Sequence, residues 1–312
     1  MLNYKKCIKE KINQMRCLVT GGSGLVGRYL SDIMQDATYI SSDDFDLRSA
    51  KETKDMMIAH KPEVVVHLAA RVGGIIDNIN YPVDYFEENT LINMNVLQAC
   101  HKFKVDRVIS ILSTCIYPDK ADTYPMREKD LFNGPPTPTN FSYAFSKRCM
   151  AAHIDAYVKQ YNKKWCYLIP CNLYGKYDKY GDHNSHFVSA LIKKIYYADN
   201  SIELWGTGKP LRQFMLGSDL AKVIKYMINN CIVDNFNVAP NFVYSIKEIA
   251  EIGKKVCEKE NLEISFDYTK PDGQFRKDVD SSKLLSIFKD FEFTGLEKGI
   301  KEVYDNFSQR HN

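Results

Sequence analysis

Short apolar runs alternate with stretches of helical spacing along the first half of this chain. The apolar runs, which are typical of strands buried on both faces, cover residues 16–20, 37–40, 62–70, 106–114 and 165–175. The stretches between them predict helices from the turn at 21–27 to Met34 and over residues 50–60, 84–103 and 142–161. Strands that alternate with helices in this way predict an α/β fold with a doubly wound, Rossmann-like, mostly parallel sheet.

The alternation weakens after Gly175. Polar, aromatic and glycine-rich stretches separate helices that we predict at residues 188–198, 218–230, 245–259, 281–288 and 297–308. We therefore predict a dinucleotide-binding domain over residues 1–175, to which the chain returns near 216–240. A smaller C-terminal α/β domain that binds substrate takes up most of residues 176–312.

The composition is that of an ordinary globular protein. Of the 312 residues, 45% are hydrophobic, and 42 basic and 39 acidic residues leave a net charge of +3, so we expect no nucleic-acid partner. The nine cysteines include no CxxC pair and no zinc-site spacing, which favours free thiols in a reducing cytosol. Residues 1–14 form a polar extension without the apolar centre of a signal peptide, and no run approaches the ~20 apolar residues that span a bilayer. We expect a cytoplasmic protein without a membrane partner.

A glycine-rich turn follows the first predicted strand and opens the first helix. It reads VTGGSGLVG from Val19, with glycines at 21, 24 and 27. Such a turn brings backbone N–H groups and the positive end of a helix dipole to a pyrophosphate, whereas the alternative is an ordinary glycine-rich loop. The position after a strand favours dinucleotide binding, with candidate contacts at Gly21, Gly22, Ser23, Gly24, Leu25, Val26 and Gly27.

The end of the second strand bears on which dinucleotide binds. NAD enzymes usually place an acid there to hold the ribose 2′-hydroxyl, but this strand ends in Ser41 and Ser42 before Asp43. The serines leave room for a 2′-phosphate and favour NADP(H), while the nearby Asp43 leaves NADH open. Ser42, and Ala69 at the end of the third apolar run, are further candidate cofactor contacts.

Three residues form a candidate site for carbonyl reduction. Tyr143 and Lys147 lie four apart on a predicted helix and share a face, and Ser113 ends an apolar strand thirty residues earlier. A carbonyl reduced by hydride needs a proton, which a tyrosine donates more readily if a lysine cation lowers its pKa. Ser113 would hold and polarise the carbonyl. Alone, the spacing of Tyr143 and Lys147 is equally typical of an ordinary amphipathic helix. Together with the glycine turn and Ser113, it favours a catalytic role.

Cys115 and His186 are candidates for moving a proton on carbon. Cys115 lies two residues after Ser113 and points the same way on an extended chain, and a thiolate and an imidazole can act as base and acid. A buried structural cysteine and a surface histidine are the alternatives, and His183 is an equally placed competitor. We expect no metal at these histidines because no further ligands accompany them.

Several segments occur in one order that is characteristic of a known family. They are VTGGSGLVG, HLAARVGGI, LSTCIYPDK, FSYAFSKR, NLYG, SHFVSALI, LWGTGKPLRQF and PDGQFRK. From about Met15 to Phe307 the chain resembles the GDP-L-fucose synthase family of extended short-chain dehydrogenases/reductases. The resemblance implies an enzyme, typically a homodimer, that uses NADPH for the 3,5-epimerisation and 4-reduction of GDP-4-keto-6-deoxy-D-mannose. The helices at 84–103 and 142–161 are its candidate dimer surface.

The resemblance also implies roles at matching positions. Ser113, Tyr143 and Lys147 match the reductase triad, Cys115 the epimerisation base and His186 the acid, and Lys147 and His186 also match cofactor contacts. The substrate-contact positions are Lys194, Trp205, Arg212 and Asp272. Some relatives carry arginine at position 194, and lysine would hold a phosphate there without a bidentate contact.

Three other functions remain possible from the sequence. A C4-reductase, with or without epimerisation, of another GDP-4-keto sugar, such as a heptose or a dideoxyhexose, would differ mainly in its loops. An NAD-dependent nucleotide-sugar 4-epimerase would need neither Cys115 nor His186 and would carry an acid after its second strand. A non-catalytic dinucleotide sensor would not need the Tyr143–Lys147 pair.

Overall fold

A computed structural model describes residues 15–181 and 185–311. The polar extension and His183 lie outside these residues. The strands are β1 (Cys17–Thr20), β2 (Thr38–Ile40), β3 (Val64–His67), β4 (Arg107–Ile111), β5 (Lys164–Pro170), β6 (Asn172–Tyr174), β7 (Ser201–Trp205), β8 (Leu211–Arg212), β9 (Phe214–Leu216), β10 (Phe236–Val238), β11 (Tyr244–Ser245) and β12 (Glu263–Asp267). The helices are α1 (Leu25–Ile33), α2 (Ala50–His60), α3 (Ile75–Asn80), α4 (Pro82–Lys102), α5 (Phe141–Tyr161), α6 (Phe187–Tyr197), α7 (Gly217–Asn229), α8 (Ile246–Val256), α9 (Ser282–Ile287) and α10 (Leu296–His311).

A six-stranded sheet forms the centre of the fold, in the order β10-β5-β4-β3-β1-β2, and all of its pairings are parallel. Every residue of β1, β3 and β4 is buried, which explains their continuous apolar runs. This confirms the predicted doubly wound α/β fold. Strand β2 lies on one side of β1, and the chain then crosses to place β3 on the other side of β1. The strand order therefore reverses between β1 and β3. In such sheets, ligands bind at the carboxyl ends of the strands beside this reversal.

Two groups of apolar side chains make up the core. The first packs on the six-stranded sheet and includes residues of β10 and α7, and the second lies among α6, α8, α10 and β7. The chain returns to the central sheet at β10, where residues 236–238 pair with Leu168–Pro170 of β5. The division into two domains, with its boundary near residue 175, stays a prediction.

The structure differs from the predicted elements mainly where strands end. The run at 165–175 is two strands, because the chain leaves the sheet at Cys171, whose N–H donates to the carbonyl of Val238. The run at 62–70 is a strand only as far as His67. Helix α3 is absent from the sequence-based prediction, because a helix of about one and a half turns that follows two glycines shows little periodicity. Within the part of the chain that the structure describes, none of the helices is long and apolar enough to cross a membrane.

Candidate active site

The glycine turn lies at the carboxyl end of β1, and its backbone packs too tightly for side chains. Gly21 has a φ of +72°, and a Cβ there would lie 2.8 Å from the backbone nitrogen of Ala69. A Cβ on Gly27 would lie 2.5 Å from the carbonyl oxygen of Gly22. Gly24 precedes α1 without a side-chain cap, which leaves the helix N-terminus open to an anion. The turn therefore fits a dinucleotide pyrophosphate, and Ala69 lies directly against it.

The turn after β2 is held by its own hydrogen bonds. The backbone N–H and the hydroxyl of Ser41 donate to the Asp44 carboxylate over 2.7 and 2.9 Å, and these bonds lower the pKa of Asp44. Ser42 and Asp43 are exposed. Ser41 and Asp44 are hydrogen-bonded to each other, whereas the hydroxyl of Ser42 is exposed. Ser42 is therefore the candidate on this turn for contact with a ribose phosphate. Its role stays a prediction.

A buried histidine connects the end of β1 to α5, the helix that carries Tyr143 and Lys147. His67, at the end of β3, lies 2.8 Å from the hydroxyl of Thr20 and 3.1 Å from the side-chain oxygen of Asn93 on α4. Burial, and then the charge of Lys147, lower the pKa of His67 to about 3, so the ring is neutral. Asn93 in turn reaches the backbone carbonyl of Ser146 on α5. This chain fixes α5 relative to β1 and β3.

The structure brings the proposed reductase residues to one place. Ser113 lies two residues beyond β4, and Lys147 is 2% exposed and donates to the carbonyl of Ile111 at the end of the same strand over 3.0 Å. The ammonium of Lys147 lies 6.0 Å from the ring centroid of Tyr143. The end of strand β4 and the start of helix α5 thus hold serine, tyrosine and lysine at the carboxyl edge of the same sheet as the glycine turn.

The protonation of this group differs from the sequence-based expectation. Burial, and then the charges of Cys115 and Tyr85, raise the pKa of Tyr143 above its usual value, whereas we expected Lys147 to lower it. Burial also lowers the pKa of Lys147, to about 8, so its cation is itself disfavoured. Tyr143 is therefore a protonated phenol, which is the form that donates a proton to a developing alkoxide.

Cys115 lies in a short 3₁₀ turn, Thr114–Ile116, directly after Ser113. Its backbone N–H donates to the Ser113 hydroxyl over 3.3 Å, and the ammonium of Lys277 lies 3.6 Å from its sulfur. Burial raises the pKa of the Cys115 thiol, but the charge of Lys277 and hydrogen bonds from Ser113, Lys277 and Asn140 outweigh burial and lower it overall. The thiol is thus set up to lose its proton.

His186 belongs to a second hydrogen-bonded group at the start of α6. Its Nδ1 lies 2.8 Å from one oxygen of the buried Asp178 carboxylate, and the Ser189 hydroxyl donates to the other over 2.6 Å. Burial lowers the pKa of His186, but the hydrogen bond and charge of Asp178 exceed it, and the net shift is upward. The arrangement favours imidazolium with its Nε2–H directed away from Asp178, as an acid requires.

Two of the predicted substrate contacts line the same region as Cys115. Burial lowers the pKa of the Arg212 guanidinium to about 10, against the opposing charges of Cys115 and Asp272. The Asp272 carboxylate accepts from the backbone N–H and hydroxyl of Thr207 over 2.6 and 2.8 Å. Arg212 is therefore close enough to feel the charges of both groups, whereas both oxygens of Asp272 are bonded to Thr207 in the loop after β7.

The other two predicted contacts lie further out. Trp205, the last residue of β7, is 53% exposed, with the ammonium of Lys270 5.7 Å from its ring. Lys194 is exposed on α6 and donates to the carbonyl of Glu203 over 2.6 Å. Both lie at the rim of the C-terminal substructure, where a nucleotide would have access. Their roles stay predictions.

Sequence reasoning missed three residues that shape this site. Asp178 and Lys277 carried no signal, because isolated acids and lysines are common in this chain. Asn140 offered a weak signal, since it is the N-cap residue of α5, where an asparagine side chain normally accepts a hydrogen bond from a backbone N–H of the first turn. Here its side chain makes no cap, bonds Cys115 instead, and leaves its oxygen buried without a partner.

Comparison with known proteins identifies the family. A profile of the NAD dependent epimerase/dehydratase family matches residues 17–239. The GDP-L-fucose synthase of Dictyostelium discoideum is 38% identical, over 94% of this chain and 95% of that one. The GDP-L-colitose synthase of Yersinia pseudotuberculosis is 34% identical, over 96% and 99%.

Solved structures agree with the sequence relatives. The crystal structure of a GDP-L-fucose synthetase from Naegleria fowleri bound to NADP superposes with a TM-score of 0.86 and is 31% identical, over 96% of this chain and 94% of that one. The chain belongs to the NAD dependent epimerase/dehydratase family, in the branch that contains the GDP-L-fucose synthases.

Proposed function

We propose that this protein is an NADP-dependent enzyme that converts GDP-4-keto-6-deoxy-D-mannose to GDP-L-fucose by 3,5-epimerisation and 4-reduction. One observation carries the proposal. The end of β4 and the start of α5 hold a reductase group, Ser113, Tyr143 and Lys147, and the same loop holds a thiol with a lowered pKa, Cys115. The full-length likeness to GDP-L-fucose synthases, one of them solved with NADP, supports the same activity.

The first stage moves protons on carbon. The hydroxyls of Ser113 and Tyr143 hydrogen-bond the C4 ketone and stabilise the negative charge that develops on its oxygen. The C–H bonds at C3 and C5, on either side of the ketone, become acidic. Cys115 takes each proton onto its sulfur, and His186, as imidazolium, returns a proton on the opposite face of the sugar. Between the two exchanges the thiol gives its proton to solvent and the imidazole takes one up, which restores both groups for the second carbon. A hydrogen from solvent thus replaces the original one at both carbons.

The second stage reduces the same ketone. When bound at the glycine turn, NADPH supplies the hydride for C4. Tyr143 gives its phenolic proton to the C4 oxygen as the alkoxide forms, and the Lys147 ammonium beside it stabilises the phenolate that is left. Ser113 continues to hold the oxygen. One polarised ketone therefore serves both reactions, which is why one site suffices.

Charged residues outside the reacting centre would hold the nucleotide. Arg212, on which the charges of Cys115 and Asp272 both act, is suited to a phosphate or sugar oxygen, and the exposed Lys194 to the outer phosphate. Trp205, half-exposed, offers an indole face for stacking. Asp272 would have to share its oxygens between Thr207 and a sugar hydroxyl.

The test is turnover in D2O. The full chain is supplied with NADPH and GDP-4-keto-6-deoxy-D-mannose, NADPH oxidation is followed, and the product is examined by NMR. The proposal predicts GDP-L-fucose with deuterium at C3 and C5. Reduction without deuterium at those carbons contradicts the epimerase half, and an absence of reduction contradicts the proposal for this substrate.

A second candidate is a C4-reductase of another GDP-4-keto sugar. The relative named GDP-L-colitose synthase favours it, because its identity to this chain is close to that of the fucose synthases. The lowered pKa of Cys115 and the Asp178-supported His186 favour the first proposal, since a simple reductase needs neither. The same NMR experiment with heptose and dideoxyhexose substrates separates the two.

The protein is proposed to act as a homodimer in the cytoplasm. Helix α4 exposes four large apolar side chains along one stripe, Val83, Phe86, Leu91 and Met94, which is typical of an interface. Cysteines remain unpaired throughout the described residues, as suits a reducing compartment. A Leu91→Lys, Met94→Lys double variant should elute as a monomer in size-exclusion chromatography with light scattering. Ile287→Lys, at an exposed position on α9, is the control, and an unchanged mass for the double variant would rule out this face.

A further inference from the structure

The ammonium of Lys277 lies 3.6 Å from the sulfur of Cys115, although 162 residues separate them in the chain. Lys277 follows β12 in a stretch without regular secondary structure, so its position is not set by a helix or a strand. A flexible surface lysine in contact with a thiol would mean little. The contact is informative only if the stretch that carries Lys277 is fixed.

The stretch is fixed on both sides of Lys277. On one side the Gln274 side chain donates to the carbonyls of Pro118 and Asp119 over 3.0 Å each, in the loop that follows Cys115. On the other side the N–H of Val279 donates to the side-chain oxygen of Gln213 over 2.9 Å, and the carbonyl of Asp278 accepts from Met126 over 2.9 Å. Gln274 thereby ties the lysine stretch to the cysteine loop itself.

The immediately adjacent residues hold the stretch as well. The carboxylate of Asp278, a buried residue, forms a two-point ion pair with Arg276 over 2.6 and 3.0 Å, and the Arg276 guanidinium lies over the ring of Tyr124 at 4.8 Å. The two neighbours of Lys277 are therefore paired with each other. Lys277 alone is left to face Cys115.

The other groups around the sulfur act in the same direction. The Ser113 hydroxyl and the Asn140 amide hydrogen-bond the thiol, and the charge of Arg212 also acts on it. Tyr143 is the remaining titratable neighbour, and it is a neutral phenol. Lys277 is the cation in direct contact, and it also acts on the buried Cys171 nearby.

We propose that Lys277 is the residue that keeps Cys115 as a thiolate before substrate arrives, and so makes Cys115 the base of the epimerisation. This deepens the proposed function and rests on it. A thiolate removes the C3 or C5 proton directly, forming an S–H bond as the C–H electron pair moves into the enolate. A neutral thiol would first have to lose its proton to another base. Lys277 stabilises the charge without moving from its fixed stretch.

The test measures the thiolate in the free enzyme. Iodoacetamide, from which a thiolate displaces iodide, is applied to the full chain between pH 5 and 10, and alkylation of Cys115 is followed by mass spectrometry of its peptide. Wild type, Lys277→Met, Lys277→Arg and Lys209→Met, an exposed lysine, are compared. Alkylation of the exposed Cys149 and binding of NADPH verify in each sample that the protein is folded.

In Lys277→Met the pH midpoint of Cys115 alkylation should rise by about 1 unit or more, so that the rate at pH 7 falls about tenfold. Lys277→Arg and Lys209→Met should stay close to wild type. An unchanged midpoint in Lys277→Met, in protein that binds NADPH, overturns the proposal, and Lys277→Gln repeats the comparison if the methionine variant does not fold. The readout needs no sugar substrate, so failure of the proposed function in D2O is a separate result.

Discussion

At the scale of single residues, the proposed acid and the proposed base each face a buried or fixed partner of opposite charge. Cys115 faces Lys277, which lowers its pKa, and His186 faces Asp178, which raises its pKa. Burial opposes the charged form in both cases and is outweighed in both. Both shifts therefore favour thiolate and imidazolium, which are the forms that the proposed epimerisation needs.

Replacing Asp178 by asparagine should impair epimerisation more than reduction. The carboxylate raises the pKa of His186, so imidazolium persists to higher pH when it is present, and its loss should move the high-pH limb of the epimerisation profile downwards by about 1 unit. Deuterium incorporation at C3 and C5 as a function of pH measures this. Asp199→Asn, at an exposed site after α6, is the control. An Asp178→Asn profile that matches wild type would show that Asp178 does not tune His186.

Residue identities could be predicted from the sequence where local spacing carries them. Tyr143 and Lys147 lie four apart on one helix, and Ser113 and Cys115 share one loop, so neither relation needs the fold. Lys277 meets Cys115 only because Gln274 crosses to the loop after Pro118, and that contact joins segments more than 150 residues apart. The raised pKa of Tyr143 could not be predicted from the sequence either, because it depends on how deeply the side chain is buried in the fold.

At the scale of elements, the glycine turn excludes side chains at the place where we propose that the cofactor binds. The turn lies between the ends of β2 and β3, and its N–H at Gly22 donates to the carbonyl of Ile40 over 2.7 Å. Gly27 lets α1 pack against the turn's own carbonyls. The element is thus rigid before any ligand binds, which lowers the entropic cost of binding.

A single methyl group at Gly27 should break this arrangement. In Gly27→Ala the new carbon would lie 2.5 and 2.6 Å from two backbone oxygens, which cannot move as a side chain would. We expect a loss of about 1–3 kcal/mol in the free energy of unfolding and NADPH binding at least about tenfold weaker. Gly295→Ala, where nothing lies within 4 Å of the new carbon, is the matched control. Denaturant unfolding and fluorescence titration with NADPH would measure both, and equal behaviour of the two variants would contradict the account.

Elements with strong periodicity were predicted closely, and short ones were not. Helix α7 was expected at 218–230 and spans Gly217–Asn229, because its apolar side chains recur at helical spacing along the whole helix. The two-residue strands β8 and β11 pair with each other across more than thirty residues and show no pattern of their own. Strand β12 pairs with β7 in parallel, and nothing in either segment specifies that partner.

At the scale of the whole molecule, Tyr29 connects the two apolar clusters. It lies on α1 in the first cluster, its hydroxyl accepts from the N–H of Lys176 over 3.0 Å, and it donates to Glu302 on α10 over 3.1 Å. Gly175 packs against its ring, where a Cβ would lie 2.6 Å away. Helix α1, which follows the glycine turn, and the C-terminal helix α10 are therefore joined through the Tyr29 side chain.

Tyr29→Phe should weaken this connection while keeping the packing of the ring. The loss of two hydrogen bonds from a buried hydroxyl should cost about 1–2 kcal/mol and lower the Tm by a few degrees. Tyr268→Phe, at a largely exposed tyrosine, should leave the Tm unchanged. Scanning calorimetry compares them, and a Tyr29→Phe protein as stable as wild type would show that the hydroxyl does not hold the clusters together.

The central claim is that one polarised ketone serves two reactions carried out by separable residues. The most direct test is Cys115→Ser in D2O with NADPH and GDP-4-keto-6-deoxy-D-mannose, with NMR of the product. Because Ser113, Tyr143 and Lys147 are untouched, the account predicts continued NADPH oxidation and a C4-reduced product that carries no deuterium at C3 or C5. A product from Cys115→Ser that is epimerised and deuterated at both carbons, as in wild type, would contradict the account.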